Sequence, residues 1–387
     1  MSSLPIPNAD AQAHSQQLAA LIQKEIHQNG GWISFSDYMN IALYSPGLGY
    51  YSGGAKKFGI GGDFVTAPEI SPLFAQSLAN QVAEVLVQTK GDLLELGAGS
   101  GRLAIDLLIA LQDLEQLPSR YFILEVSAYL RQVQRENIQK HLPAELAARV
   151  EWLDALPESF VGVIVGNEVL DAVPVHLIYQ SASKDNPNLY ERGVAFNGQF
   201  YWQDQPLASG KLFELATSYN LPKDYLTEIS PAAMGLVTSL AGALKHGAII
   251  MVDYGFSARE YYHPQRNLGT LMCHYQHYAH TDPLIYVGLQ DITAHVDFSS
   301  VANAAELGGL ALLGFCSQAQ FLMNCGILNV MSQVSPHDIS RYAPLAAAAQ
   351  KLLSPAEMGD LFKVIALGRG LDQALMGFAS GDKSHTL

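Results

Sequence analysis

The chain has 387 residues, 49% hydrophobic and only 15% charged. That is enough apolar matter for one large domain with insertions or for two domains, and it excludes bulk disorder. A formal net charge of -14 excludes the basic surface that nonspecific nucleic-acid binding requires and favours a cationic partner. Cys273, Cys316 and Cys325 are scattered without a CxxC pair, which fits a reducing compartment and gives no zinc pattern. No apolar run reaches the ~18 residues of a membrane span. The start Met1 to Gln17 is too polar for a signal peptide, and the first arginine is Arg102, so an Arg-rich transit peptide is absent. A soluble, cytoplasmic protein is expected.

Residues 13–27 place Leu18, Leu21, Ile22 and Ile26 on one side of a helix, and a second helix is expected over Phe35 to Leu43. Tyr44 to Gly54, Lys56, Lys57 and Gly59 to Thr66 form a glycine-rich stretch. It reads as a mobile cover or a loop lying against a ligand, with a plain surface turn as the alternative. It is not a phosphate-binding P-loop, because Gly-x4-Gly-Lys-Ser/Thr does not occur. Ser71-Pro72 reads as an N-cap followed by proline at the first helical position, opening a helix to about Thr89.

Asp92 to Ala104 then carries a short apolar strand, three alternating glycines and a helix. Gly97, Gly99 and Gly101 allow the backbone to approach a ligand closely. Arg102 stands where a dinucleotide fingerprint wants Gly or Ala, which disfavours an NAD-dependent oxidoreductase. Glu95 lies two residues before the first glycine, at the strand's carboxyl end. This acid-x-Gly-x-Gly-x-Gly pattern resembles the first motif of the class I S-adenosylmethionine (SAM) methyltransferases.

Tyr121 to Glu125 reads as a second strand ending in a carboxylate, at the distance where dinucleotide-type folds place a sugar-binding acid. Val150 to Leu153 is a third strand, and Asp154 at its end either accepts from an adenine amine or caps a helix. Phe160 to Val165 is a fourth, running into Gly166-Asn-Glu-Val-Leu-Asp171. Asn197-Gly198 marks a hairpin between Leu189 to Phe196 and Gln199 to Trp202. Leu212 to Leu226 and Pro231 to Lys245 read as helices before a fifth strand, Ala248 to Val252, closed by Asp253. His274, His277 and His280 recur every third residue, too weak a pattern for a metal, and none is expected. Gln290 to Phe298 alternates as an extended edge carrying Asp291, His295 and Asp297. Ala304 to Met323 and Ile339 to Leu352 are expected helices, and Phe362 to Leu367 a late strand.

Together these segments resemble the MidA-type SAM-dependent methyltransferases, a family that includes the mitochondrial complex I assembly protein arginine methyltransferase. The matching pieces include Gly49-Tyr-Tyr51, Gly62-Asp-Phe-Val-Thr-Ala-Pro-Glu69, Glu95 to Gly101 and Asn167-Glu-Val-Leu-Asp-Ala-Val-Pro174. Asp253-Tyr-Gly255, Gly269-Thr-Leu271, Gln290 to Phe298 and Met358 to Lys363 complete them. The resemblance implies an α/β class I fold with a Rossmann-like seven-stranded sheet. It also implies SAM as cofactor and a protein substrate, an arginine in a complex I subunit. The expected plan is an N-terminal helical and loop region over 1–85. A methyltransferase domain follows over 86–387, with a hairpin and helical insertion near 176–246.

The cofactor residues expected are Glu95, Gly97, Ala98, Gly99, Gly101, Glu125, Val126, Asp154 and Asn167. Glu168 and Asp171 would clamp a guanidinium, and if the segment turns helically they lie on one face. They would otherwise be helix-start acids. Asp291 and His295 would orient the substrate or take its proton, or else serve internal hydrogen bonds. A SAM-binding assembly factor without catalysis, or a methyltransferase with a small-molecule acceptor, is the competing reading.

Overall fold

Runs of Val, Ile and Leu bounded by Gly and Pro, apolar on both faces, are what a mostly parallel sheet covered by helices demands. In the computed structural model, which describes residues 4–53, 65–183 and 188–387, seven such runs form that sheet. They are β1 (Asp92–Leu96), β2 (Tyr121–Leu124), β3 (Val150–Leu153), β4 (Phe160–Asn167), β5 (Leu244–Phe256), β6 (Ala311–Ser317) and β7 (Phe362–Arg369). Their order is β6-β7-β5-β4-β1-β2-β3. Strands β1 to β5 pair in parallel, while β7 runs antiparallel to both β5 and β6. The two-residue strand Val296–Asp297 adds to the end of β5. The class I sheet is therefore present with its strand order complete.

The chain divides into two units, and this sheet belongs to the one formed by Val65–Leu170, Leu236–Ser257 and Val296–Leu387. Helices α1 (Pro72–Thr89), α2 (Arg102–Asp113) and α3 (Ala128–His141) cover it. Phe74, Leu78, Val82, Leu107 and Leu111 pack with Leu93 and Val163 in one core. Each such side chain contributes roughly 1.5–3 kcal/mol when fully buried. Helix α1 starts as its sequence dictates, with the Ser71 hydroxyl accepting from the Leu73 amide at 3.2 Å and Pro72 in the first turn.

The other unit comprises Met1–Phe64, Asp171–Gly235 and Ala258–His295. Its antiparallel sheet runs Trp32–Ser34, Leu189–Phe196, His176–Gln180, Tyr225–Ile229, with Phe200–Pro206 paired to Leu189–Phe196. A smaller sheet joins Tyr278–His280, Met272–Tyr275 and Asp291–Thr293. Leu18 and Ile22 of the helix Ala9–Gln28, and Phe35 and Tyr38 of the helix Phe35–Tyr44, pack with Val194 and Ile292.

Several expectations are corrected. The boundary placed at residue 85 falls inside α1, whose apolar face belongs to the core of the sheet unit. The insertion near 176–246 is not purely helical beyond its hairpin. Leu212 to Leu226 splits into a helix, Lys211–Ser218, and the strand Tyr225–Ile229. Ala304 to Met323 is not one helix but the helix Phe298–Leu307, strand β6 and the helix Gln318–Asn324. An apolar run without polar punctuation satisfies both periods, and only pairing with β7 decides it. Of the glycine-rich cover, residues 54–64 lie outside the described residues. Among the described residues, no helix is long and apolar enough to cross a membrane.

Asp297 ends the short strand Val296–Asp297, as expected of the extended edge, and also caps the helix that follows. Its Oδ1 accepts from the amides of Ser299 at 3.0 Å and Ser300 at 3.3 Å, capping the helix Phe298–Leu307. Asp297→Ala should cost about 1 kcal/mol, and Asp297→Ser much less, in a chemical-denaturation series. Equal losses for both would remove the capping role.

Candidate active site

Strand order reverses between β1 and β4, and open α/β sheets bind ligands beyond the carboxyl ends of strands at such a point. The glycine turn lies there, after β1. Gly97, Gly99 and Gly101 take φ of 59°, 52° and 82°, the left-handed region where a side chain is strained. The turn is closed by the Gly101 amide donating to the Ala98 carbonyl at 2.7 Å. Ala98 turns its methyl into the core, so only its backbone can face a ligand.

Two acids stand beside this turn. Glu95 is buried and accepts from the Tyr121 hydroxyl at 2.7 Å. Burial pushes its pKa up to about 8, the Tyr121 hydrogen bond opposes this, and the Glu125 charge adds to it. Glu125, also buried, accepts from the Ser127 amide at 2.9 Å and from the Gln134 side chain at 3.1 Å. Its pKa is raised by desolvation, with those hydrogen bonds pulling the other way. Val126 beside it is 76% exposed, an apolar face at a strand end where a flat base can lie.

Sequence reasoning missed the two residues that tie these pieces together. Gln134, fully buried on α3, donates to the Gly99 carbonyl at 3.0 Å as well as to Glu125, and accepts from the Trp152 indole at 2.9 Å. Arg131, one turn earlier, donates to the carbonyls of Glu125 and Leu153, both at 2.6 Å. It also pairs with Asp154 Oδ1 at 2.6 Å, so Asp154 is an arginine partner before it is anything to a ligand. Neither residue stands in a motif. The available signal was a polar pair one helical turn apart on α3, which a solvated face explains equally well.

At the end of β4, Asn167 donates from Nδ2 to Glu168 Oε1 at 3.0 Å, while its buried Oδ1 has no hydrogen-bond partner. A buried acceptor without a donor is costly, and a cationic N–H group of a ligand would satisfy it. Glu168 has a φ of 52°, a state that costs a non-glycine residue about 1–2 kcal/mol. Residues 168–170 turn without forming a helix, so the helical face expected for Glu168 and Asp171 does not exist, nor does a helix start there. The unit boundary falls between Leu170 and Asp171.

In the other unit, Asp171 and Asp291 are both buried. The Tyr51 hydroxyl donates to Asp291 Oδ1 at 2.9 Å, and the Tyr51 ring stacks on Tyr44 at 5.5 Å between centroids. Burial raises the Tyr51 pKa, and the charges of Asp291, Tyr44 and Asp171 raise it further, so one hydroxyl senses both acids. The Ala294 amide donates to the Asp171 carbonyl at 3.0 Å, and the Tyr44 hydroxyl to the Ala172 carbonyl at 2.8 Å. The His295 amide is held by Thr270 Oγ1 at 3.0 Å, and Thr270 in turn donates to buried Glu228. The structure thus brings Asp171, Asp291 and Tyr51 together. Tyr51 was visible only as part of Gly49-Tyr-Tyr51, without a role. Among the described residues no three His, Cys, Asp or Glu side chains are grouped to hold a metal ion.

A family model described as "Putative S-adenosyl-L-methionine-dependent methyltransferase" matches residues 77–316. The chain belongs to this family. A superfamily protein from Burkholderia thailandensis, crystallised with S-adenosyl-homocysteine bound, is 51% identical over 100% of both chains with a TM-score of 0.95. A second Burkholderia thailandensis structure is 50% identical over 100% of both chains, with a TM-score of 0.93. The zebrafish (Danio rerio) protein arginine methyltransferase NDUFAF7, mitochondrial, is 29% identical, covering 86% of this chain and 82% of its own length. The human (Homo sapiens) protein of that name is 28% identical, covering 87% and 80%. The MidA-type resemblance holds, and SAM, which carries a transferable methyl on a sulfonium, is the family cofactor. The glycine turn, the paired acids and the orphaned Asn167 oxygen all suit a nucleoside with a cationic tail.

Two outcomes follow from this geometry. Glu125→Ala should leave the fold intact and weaken S-adenosylhomocysteine binding about 10- to 100-fold in calorimetry, the worth of one charged hydrogen-bonding group. Unchanged affinity would remove Glu125 from the site. The pH test concerns Glu95, which holds its proton in the folded chain between pH 4.5 and about 8, while the unfolded chain gives it up. The folded state then binds more protons, so ligand-free stability should fall as pH rises through that window, and Glu95→Gln should flatten the decline. An identical pH slope in the variant would show that Glu95 ionises normally.

Proposed function

We propose that the chain is a protein arginine N-methyltransferase whose acceptor lies in a respiratory complex I subunit, and that it works in the cytoplasm. The observation that carries this reading is the buried pair Asp171 and Asp291, with Tyr51 in electrostatic reach of both. A guanidinium stays protonated at any physiological pH, so an acceptor site must hold a planar cation rather than deprotonate it first. Carboxylates suit that task, because they match the guanidinium fork and draw its positive charge away from the nitrogen left to react. The relatives named protein arginine methyltransferase support the same acceptor at 27–29% identity.

In this reading Glu125 holds the ribose hydroxyls and Val126 packs on the base. The Gly97–Gly101 turn, with the Ala98 backbone, admits the chain of the donor, and Asn167 Oδ1 accepts from its ammonium. Glu95 supports the turn through the end of β1. Glu168 and Asp171 hold the acceptor cation, Asp291 orients it through Tyr51, and His295 takes the released proton. Methyl transfer itself is an in-line displacement, so holding both partners in attack geometry can supply about 7–11 kcal/mol.

Asp171→Asn should retain S-adenosylhomocysteine binding while transfer of labelled methyl to an arginine-bearing complex I subunit falls by about 100-fold or more. Full activity in that variant would end the acceptor role of Asp171. Wild-type protein that binds S-adenosylhomocysteine yet labels no subunit would favour the assembly factor without catalysis.

A further inference from the structure

The turn after β4 has to be held open against its own preference. Glu168 occupies the left-handed region, and nothing in Asn167-Glu-Val-Leu170 supplies a glycine to make that conformation easy. What holds it comes from β5. The Glu168 amide donates to the Val252 carbonyl at 2.8 Å, prolonging the parallel pairing that matches Val252 with Asn167. The next two amides leave the ladder and converge on one atom. Asp253 Oδ2 accepts from Val169 at 3.1 Å and from Leu170 at 2.8 Å. Its other oxygen, Oδ1, accepts from the amide of Tyr254 at 2.9 Å, which locks the carboxylate's rotation. Asp253 is fully buried, and its three backbone donors are the ordinary way to stabilise such a charge away from water.

We infer that Asp253 is the positioning residue of the transfer reaction: its carboxylate fixes the 168–170 backbone and so aims the Glu168 side chain. This rests on the reading of Glu168 as an acceptor-holding acid. The backbone of Asn167 does not share the dependence, because it is the last residue of β4 and is set by pairing with Val252, so its Oδ1 stays in place even if the Nδ2 bond to Glu168 Oε1 is lost. Cofactor binding rests on Asn167 Oδ1 and acceptor handling on the turn beyond it, with the Asn167 Nδ2 bond to Glu168 Oε1 as the side-chain link between them. Loss of Asp253 should leave the first intact and disturb the second. A purely structural acid would instead lower both together, or neither. A charge acting through space would be lost equally whenever the carboxylate is neutralised, whatever replaces it.

Asp253→Asn and Asp253→Ala distinguish these. The asparagine keeps an oxygen that can serve Val169 and Leu170 but sets an amide against Tyr254, whereas alanine leaves both turn amides without an acceptor. With folding checked by thermal melting, S-adenosylhomocysteine affinity should stay within about threefold of wild type in both variants. The turnover number should fall about 100-fold in Asp253→Ala and clearly less in Asp253→Asn. Hydrogen exchange at the Val169 and Leu170 amides needs no acceptor, and it should accelerate in Asp253→Ala and remain partly protected in Asp253→Asn. If alanine does not fold, exchange in the asparagine variant alone decides, since unaltered Val169 and Leu170 protection together with a 100-fold loss of turnover would show a charge effect and overturn the proposal. Unchanged exchange in a folded Asp253→Ala, or freed amides with undiminished turnover, would overturn it as well. Wild-type protein that fails to methylate arginine would refute the proposed acceptor while leaving the exchange result to judge Asp253.

Discussion

The side-chain amide of Gln134 is the contact on which the carboxyl ends of β1 to β3 depend. It donates to the Gly99 carbonyl in the glycine turn and to the Glu125 carboxylate at the end of β2, and it accepts from Trp152 on β3. The glycine turn after β1, the end of β2 and Trp152 on β3 are thereby tied together by one uncharged group that water does not reach. A buried amide with its polar atoms satisfied is rigid, because every alternative position leaves at least one of them unpaired. Arg131 repeats the device one turn away with the carbonyls of Glu125 and Leu153.

That rigidity has an electrostatic consequence. Glu95 and Glu125 are both desolvated, and each carries a pKa raised mainly by burial. The site therefore holds acids that are reluctant to ionise without a partner, which is the condition under which a hydroxyl-rich, cationic ligand gains most from binding. In the other unit, Asp171 and Asp291 are also buried, within electrostatic reach of Tyr51. Each unit by itself contains buried acids: hydrogen-bond acceptors at strand ends in one, an aromatic and acidic cluster in the other.

Much of the sheet unit was legible in the sequence because its signals are local. An apolar run, a glycine or acid at its end and an amphipathic helix beyond specify β1 to β4 without knowledge of any neighbour. Strand β6 was not legible, since Leu310 to Cys316 carries no alternation and its state is set by pairing with β7 across roughly fifty residues of chain. The capping role of Asp297 was not legible, because capping is decided by the φ/ψ of the next residues, not by the alternation before them. Gln134, Arg131 and Asp253 act through partners far away in sequence, which no spacing rule displays. The helical alignment expected of Glu168 and Asp171 fails because Asp253 draws the intervening amides of Val169 and Leu170 out of any helix.

The central claim is that the carboxyl ends of β1, β2 and β4 form a prebuilt cradle for a nucleoside donor. A crystal structure of this chain grown with S-adenosylhomocysteine tests it most directly. The account predicts ribose hydroxyls against Glu125, the base on Val126 and the amino group against Asn167 Oδ1, with Gln134 unmoved. A ligand bound elsewhere, or a crevice filled by the protein's own side chains while the ligand stays in solution, would contradict it.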